Sequence, residues 1–256
     1  MELGLKGKRA LVLGASRGLG KAIAQGLAAE GAEVFAAARN LQALQTWAAG
    51  MANVHPVQVD LSDIAAVDAL AEDLLAKGGV DILVNNSGGP PPGTALEASR
   101  QNWMDHFQAM AANLFHLGGR LVPAMQGRGW GRVISIASSG VEQPIPNLAL
   151  SNGIRAAVVG WSKTLASEVA KDGVTVNVVM PGRIHTQRVD ELDAAASKRT
   201  GKPVQEIASA SASAIPAGRY GRPEEFADVV VFLASGRASY VTGSLLRVDG
   251  GAIRSV

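Results

Sequence analysis

Short apolar runs alternate with longer amphipathic stretches along the whole chain. Strand-like runs fall at 9–13, 33–38, 54–59, 80–85, 132–137, 174–179 and 245–248. They are continuously apolar and do not alternate, which is the mark of strands covered on both faces, as in a parallel sheet. Helical periodicity fills the intervals at 19–30, 41–49, 62–77, 100–126, 150–171 and 223–235. This strand–helix repetition predicts one α/β domain: a Rossmann fold with a doubly wound parallel sheet of about seven strands and helices on both faces. Right-handed crossovers then gather the strand C-termini along one edge, where ligands bind. Two segments break the rhythm. Residues 88–93 (GGPPPG) predict a stiff turn after the fourth strand. Residues 183–218, rich in Ala and Ser, stand between the last two strands. They are a candidate substrate lid or an ordinary helical excursion.

Composition narrows the function classes. The 256 residues are 47% hydrophobic and 18% charged, with a net charge of +2, so no basic stripe favours nucleic acid. There is no cysteine, which removes disulfides, thiol chemistry and thiolate metal sites. His55, His106, His116 and His185 do not cluster, so no metal site is expected. The opening Met1-Glu2-Leu3-Gly4-Leu5-Lys6 lacks the basic start and apolar core of a signal peptide. No run reaches the roughly 18 apolar residues of a membrane span. The expectation is a cytoplasmic protein without nucleic-acid or membrane partners.

The first strand runs into Gly14-Ala15-Ser16-Arg17-Gly18-Leu19-Gly20 and then a helix. A strand–turn–helix unit with this glycine density suits a dinucleotide. Gly14 permits the tight turn, Gly18 lets backbone approach a pyrophosphate, and Gly20 lets helix and strand pack closely. The second strand ends Ala38-Arg39-Asn40, with no acid to receive a ribose 2′-hydroxyl. Arg17 and Arg39 are either surface charges or holders of a 2′-phosphate. The missing acid favours NADP over NAD.

With these residues the sequence resembles the short-chain dehydrogenase/reductase family over nearly its whole length, and within it the bacterial proteins labelled 3-oxoacyl-acyl-carrier-protein reductases. The resemblance rests on Gly14, Gly18 and Gly20, on Val59-Asp60-Leu61, on Asn85-Asn86-Ser87-Gly88, on Pro181-Gly182 with Ile184 and Thr186, and on Val248-Asp249-Gly250-Gly251. It implies that Asp60 and Leu61 meet the adenine, that Asn86, Ser87 and Gly88 line the nucleotide, and that Pro181, Gly182, Ile184 and Thr186 flank the nicotinamide. It further implies a homotetramer or homodimer, built through the helices at 100–126 and 150–171 and the C-terminal strand. Ile154, Val158, Trp161 and Leu165 are apolar at helical spacing there, which fits core or interface.

The family's catalytic set is Asn, Ser, Tyr and Lys. Asn113 matches the first and Ser138 the second, with Ser139 as its neighbour and competitor. Counting from Ser138, or back from Gly160-Trp161-Ser162-Lys163, puts Ser151 at the Tyr position and Arg155 at the Lys position. The two tyrosines, Tyr220 and Tyr240, lie far downstream. A phenol near a cation tunes towards neutral pH; a serine hydroxyl does not, and arginine stays protonated. Ser151 and Arg155 share one helix face, where Arg155 is placed to hold a ribose or a developing oxyanion. Ser151 is equally well read as a helix cap. His185, between Gly182 and Thr186, is the alternative proton donor. Two readings follow: an NADP-dependent oxidoreductase acting on a small carbonyl or alcohol through an altered site, and an NADP-binding protein without turnover. Arg183, Arg188 and Arg199 border the candidate lid, as surface charge or as contacts for an acidic substrate.

Overall fold

In the computed structural model, which describes residues 2–255, seven parallel strands form one sheet in the order β3-β2-β1-β4-β5-β6-β7. The strands are β1 (Arg9–Leu13), β2 (Glu33–Ala38), β3 (Val54–Gln58), β4 (Ile82–Asn85), β5 (Gly131–Ile136), β6 (Val174–Pro181) and β7 (Leu245–Val248). The chain lays down β1 to β3 outwards, then crosses back to place β4 beside β1. That reversal opens a crevice at the C-terminal ends of β1 and β4.

Residues of opposite parity bury opposite faces, as the two-residue strand period demands. On one face Ala10, Val12, Val34, Ile82 and Ile134 pack with α1 (Gly18–Ala29), α2 (Leu41–Ala48) and α9 (Pro223–Ala234). On the other, Leu11, Leu13, Phe35, Leu83 and Val133 pack with α3 (Ile64–Ala76), α5 (Asn113–Gly127) and α6 (Ala149–Val169). Two covered faces explain why the strand sequences read as unbroken apolar runs.

The predicted fold and strand order of elements hold, with differences at element ends and in two places of consequence. The single helix expected over 100–126 is three pieces: α4 (Arg100–Phe107), a π turn (Gln108–Ala112) and α5. A π turn changes the hydrogen-bond partner from i−4 to i−5 without changing the apolar pattern, so periodicity does not reveal it. The irregular segment at 183–218 is largely helical: α7 (Gln187–Thr200) and α8 (Val204–Ser213), separated by Gly201 in the left-handed region and Pro203. At the ends, β3 stops at Gln58 and not 59, β4 begins at Ile82 and not 80, β5 runs one residue earlier than expected, and β6 extends to Pro181, where it still pairs with Val248. Among the described residues, no helix is long and apolar enough to cross a membrane.

Leu117, fully buried on α5 against the sheet, tests this packing. Leu117→Ala should cost about 2–5 kcal/mol in urea unfolding; an unchanged midpoint would place the side chain outside the core.

Candidate active site

At the crevice the backbone is packed too closely for side chains. Gly14 and Gly18 both sit in the left-handed region, at φ of 61° and 56°. A Cβ on Gly20 would stand 2.3 Å from the Gly14 carbonyl oxygen, and one on Gly14 would stand 2.7 Å from Asn86 Nδ2. Asn86 staples the turn from the neighbouring strand: its Nδ2 donates to the carbonyls of Leu13 at 3.1 Å and Gly14 at 3.4 Å. Trp47 Nε1 donates to the Ala15 carbonyl at 3.1 Å from the far side. Ser16 is half-buried in the turn, and Leu19 packs on the core below it. The helix that follows has no acid in its first turn and no side chain capping its N-terminus. Its free N–H groups therefore face the crevice with their partial positive charge intact. Ser87 is half-buried and Gly88 exposed, just beyond Asn86.

At one end of the turn, β2 finishes at Ala38 and the exposed Arg39 follows, with Asn40 capping α2. Asp60 accepts from Ser62 N at 2.9 Å and Ser62 Oγ at 2.8 Å. These bonds, with the charge of Arg39 added, hold its carboxyl below the usual range. Arg17, exposed at the turn, donates to Glu191 Oε1 of α7 at 3.0 Å. Glu191 is a contact that the sequence did not single out, since a lone acid in a polar helix carries no signal of its partner.

At the other end stand the residues at the family's catalytic positions. Asn113 follows the π turn directly, and its own N–H bonds back to the Gln108 carbonyl. It is buried, and its Nδ2 donates to the Leu61 carbonyl at 2.7 Å, tying the start of α5 to the Asp60-Leu61 segment. Ser138 is half-buried past the end of β5; its Oγ accepts from Gly140 N at 3.1 Å. Ser139 opens the 3₁₀ turn that follows. Ser151 is not the cap of α6: Leu148 takes that place, and Ser151 lies half-buried in the first turn. Arg155, one turn on, donates from Nη1 to the Ile136 carbonyl at 2.7 Å. Burial pushes its pKa down to about 10, with the charge of Arg188 pressing the same way. Asn152 was not foreseen. Its Oδ1 is buried without a partner, and both this oxygen and Ser138 Oγ border the space a Gly140 side chain would fill.

The loop after β6 bridges the two ends. Gly182 N donates to the Val248 carbonyl at 2.9 Å, and a Cβ on Gly182 would meet Asp249 backbone at 2.6 Å. Ile184 is buried and bridges to Gly221. Thr186 starts α7, with its side chain facing Gly18. His185 is exposed, 3.4 Å from Asp190, and lines a cavity of about 440 Å³ with Tyr220, Val204 and Ala212. Behind it a buried Asp193 accepts from Tyr220 at 2.9 Å and pairs with Arg183. Burial and the Asp193 contacts raise the Tyr220 pKa, despite opposing effects from Ser211 and Arg183. Of this loop Thr186 meets the glycine turn, Pro181 and Gly182 pack against the end of β7, Ile184 pairs with Gly221, and His185 lies against the α7–α8 cavity.

Comparison with known proteins agrees with this geometry. Residues 14–252 match the family described as enoyl-(acyl carrier protein) reductase. The chain is 37% identical over 253 residues to the 3-oxoacyl-acyl-carrier-protein reductase FabG of Escherichia coli K12, covering 97% of this chain and 98% of that protein. Against FabG of Aquifex aeolicus the identity is 33%, covering 98% and 99%. In structure it is similar to L-sorbose reductase of Gluconobacter frateurii, solved with NADPH and L-sorbose: TM-score 0.94, 36% identity and full coverage of both chains. An actinorhodin polyketide ketoreductase variant with NADPH superposes with a TM-score of 0.92 at 31% identity, covering 97% and 98%. With its whole length matched and its glycine turn, sheet order and C-terminal loop in place, the chain belongs to the short-chain dehydrogenase/reductase family.

Proposed function

We propose that this chain is an NADP-dependent oxidoreductase that reduces a small carbonyl compound or oxidises the matching alcohol, with Ser151 and Arg155 standing where the family places tyrosine and lysine. The observation that carries the reading is the stapled glycine turn at the switch point, where Gly14 and Gly20 have no room for a Cβ. Such a cradle fits a pyrophosphate, whose oxygens need bare N–H groups at close range. The absence of an acid after β2, with Arg17 and Arg39 nearby, fits a 2′-phosphate. Relatives solved with NADPH support the choice.

In this reading Gly14, Ser16, Gly18, Leu19 and Gly20 hold the pyrophosphate, and Arg17 and Arg39 the 2′-phosphate. Asp60 and Leu61 meet the adenine, and Asn86, Ser87 and Gly88 line the adenosine side. Pro181, Gly182, Ile184 and Thr186 orient the nicotinamide. A bound nicotinamide dinucleotide supplies or accepts the hydride. Ser138 and Ser151 donate hydrogen bonds to the substrate oxygen, and Asn113 fixes the helix that faces them. Arg155 holds the nicotinamide ribose and adds positive charge where an oxyanion develops. With a pKa of about 10 it stays charged at neutral pH, so it is a donor and not a proton shuttle. The proton comes from water or from His185.

Residues 183–218 act as the substrate lid, latched by Arg17 to Glu191 and by Arg188 to the Pro90 carbonyl. We place the protein in the cytoplasm as a homotetramer or homodimer. The assembly surface would be α4, α5 and α6, where Phe115 stacks on Trp161 and Met104 and Phe107 are exposed. A non-catalytic NADP-binding protein is the second reading, favoured by the absence of tyrosine from α6.

Titration with NADPH and NADH, followed by fluorescence, then addition of a carbonyl panel at saturation, separates the readings. NADPH binding with oxidation supports the enzyme; binding without oxidation supports the second reading; binding of neither nucleotide removes both. Gly20→Ala should abolish binding of either nucleotide. Arg17→Ala combined with Arg39→Ala should weaken NADPH by about 10- to 100-fold and leave NADH nearly unchanged; equal losses for both would refute the 2′-phosphate contact. Ser138→Ala and Arg155→Ala should each lower kcat/KM by about 100-fold. Unchanged turnover in both would sink the catalytic scheme.

A further inference from the structure

The Arg17 guanidinium is already taken by a carboxylate. Its Nη1 donates to Glu191 Oε1 of α7 at 3.0 Å. Arg17 stands just before α1 in extended backbone, and its side chain does not cap that helix. The pairing is therefore made by a side chain with no part in holding the glycine turn together. Thr186, at the N-cap of α7, lies 3.5 Å from where a Gly18 Cβ would be, so α7 begins against the turn and carries Glu191 to Arg17.

The direction of this pair matters. α7 follows β6, and β4 and β5 stand between β6 and β1. Arg39 follows β2, on the opposite side of β1. A 2′-phosphate shared by Arg17 and Arg39 lies towards β2, and Arg17 meets it by turning away from Glu191.

The present partner is easily released. The two side chains are 57% and 41% exposed, and exposed ion pairs are weak. Glu191 also keeps a second cation. Its Oε2 is 3.6 Å from Arg188 Nη1, three residues earlier on the same helix. Arg188 is anchored in turn, because its Nη2 donates to the Pro90 carbonyl at 2.8 Å. The carboxylate thus has a neighbour when Arg17 leaves. A phosphate offers the guanidinium fork two matched oxygens and more charge than a carboxylate. The exchange favours the phosphate, but its net gain is reduced by whatever the pair with Glu191 was worth. NADH carries no group that would draw Arg17 away, so it leaves the pair intact.

We propose that Glu191 is a cofactor-specificity residue: it competes with the 2′-phosphate for Arg17 and so weakens NADPH selectively against NADH. The inference rests on the NADP reading above and adds an internal competitor to it. The carboxylate acts through Arg17 and touches no other part of the dinucleotide.

The test is titration of the full chain, at low ionic strength, with NADPH, NADH, adenosine 2′,5′-bisphosphate and AMP. Glu191→Gln should tighten NADPH and the bisphosphate by about three- to fivefold, while NADH and AMP change by less than about 1.5-fold. In an Arg17→Ala background the same substitution should change NADPH by less than about 1.5-fold. A gain that survives the loss of Arg17 overturns the proposal, since Glu191 would then act on the phosphate directly through its charge. Equal gains for NADPH and NADH, or no gain, overturn it as well. So does weaker NADPH binding, which would make Glu191 a support that aims Arg17 at the phosphate. If the unaltered protein fails to bind NADPH, the NADP reading and this inference fall together; if it binds NADPH and any of the other adverse results appears, only this inference falls.

Discussion

The constraint on which the site depends is the close approach of a carbonyl to a position that has no side chain. The Gly14 oxygen stands 2.3 Å from where a Gly20 Cβ would be, and Asn86 closes on the same turn from the next strand. Helix α1 can enter the sheet at that angle only because both glycines are bare. The entry of α1 aims its uncapped N-terminus across the ends of β1 and β4. Leu13 and Gly14 give their carbonyls to Asn86, and Ala15 N donates to the Ala37 carbonyl, so the turn is fixed by hydrogen bonds to both neighbouring strands. Rigidity of this kind lowers the entropy lost on binding an anion.

The remaining parts of the site are hung from that frame by single contacts. Asn113 reaches the Leu61 carbonyl, so the segment after β3 and the start of α5 move together. Thr186 faces Gly18, and Arg17 reaches Glu191, so α7 is referenced to the same turn. Most of these contacts are exposed or half-buried, and exposed ion pairs contribute little to stability. The sheet and its two cores hold the frame; α7 is tied to it by exposed contacts that add little to stability.

Much of this was legible in the sequence because it is written in local terms. Unbroken apolar runs mark strands buried on both faces, and Gly14, Gly18 and Gly20 mark a turn whose spacing has one physical use. Counting along the chain assigns Ser151 and Arg155 to the positions of the family's tyrosine and lysine. What escaped was set by tertiary partners. The π turn before Asn113 leaves the apolar period intact. The helices α7 and α8 are built from Ala, Ser and charge, with weak burial and hence weak periodicity. Glu191 and Asn152 are ordinary polar residues until the fold brings Arg17 and Gly140 to them. Ser151 looked like a cap because serine caps helices often, yet Leu148 occupies the N-cap position.

In the proposed reading, Ser151 and Arg155 stand in place of tyrosine and lysine, and this changes what the site can do with a proton and what it can do with charge. A phenol held near a cation can give up its proton at neutral pH; an aliphatic hydroxyl cannot, so Ser151 serves as a donor of hydrogen bonds and not of protons. In that reading proton delivery passes to solvent or to His185. Arginine in place of lysine loses nothing in charge and gains donors in a fixed plane. Arg155 Nη1 is committed to the Ile136 carbonyl, which leaves its other N–H groups as the donors open to a ligand in that reading.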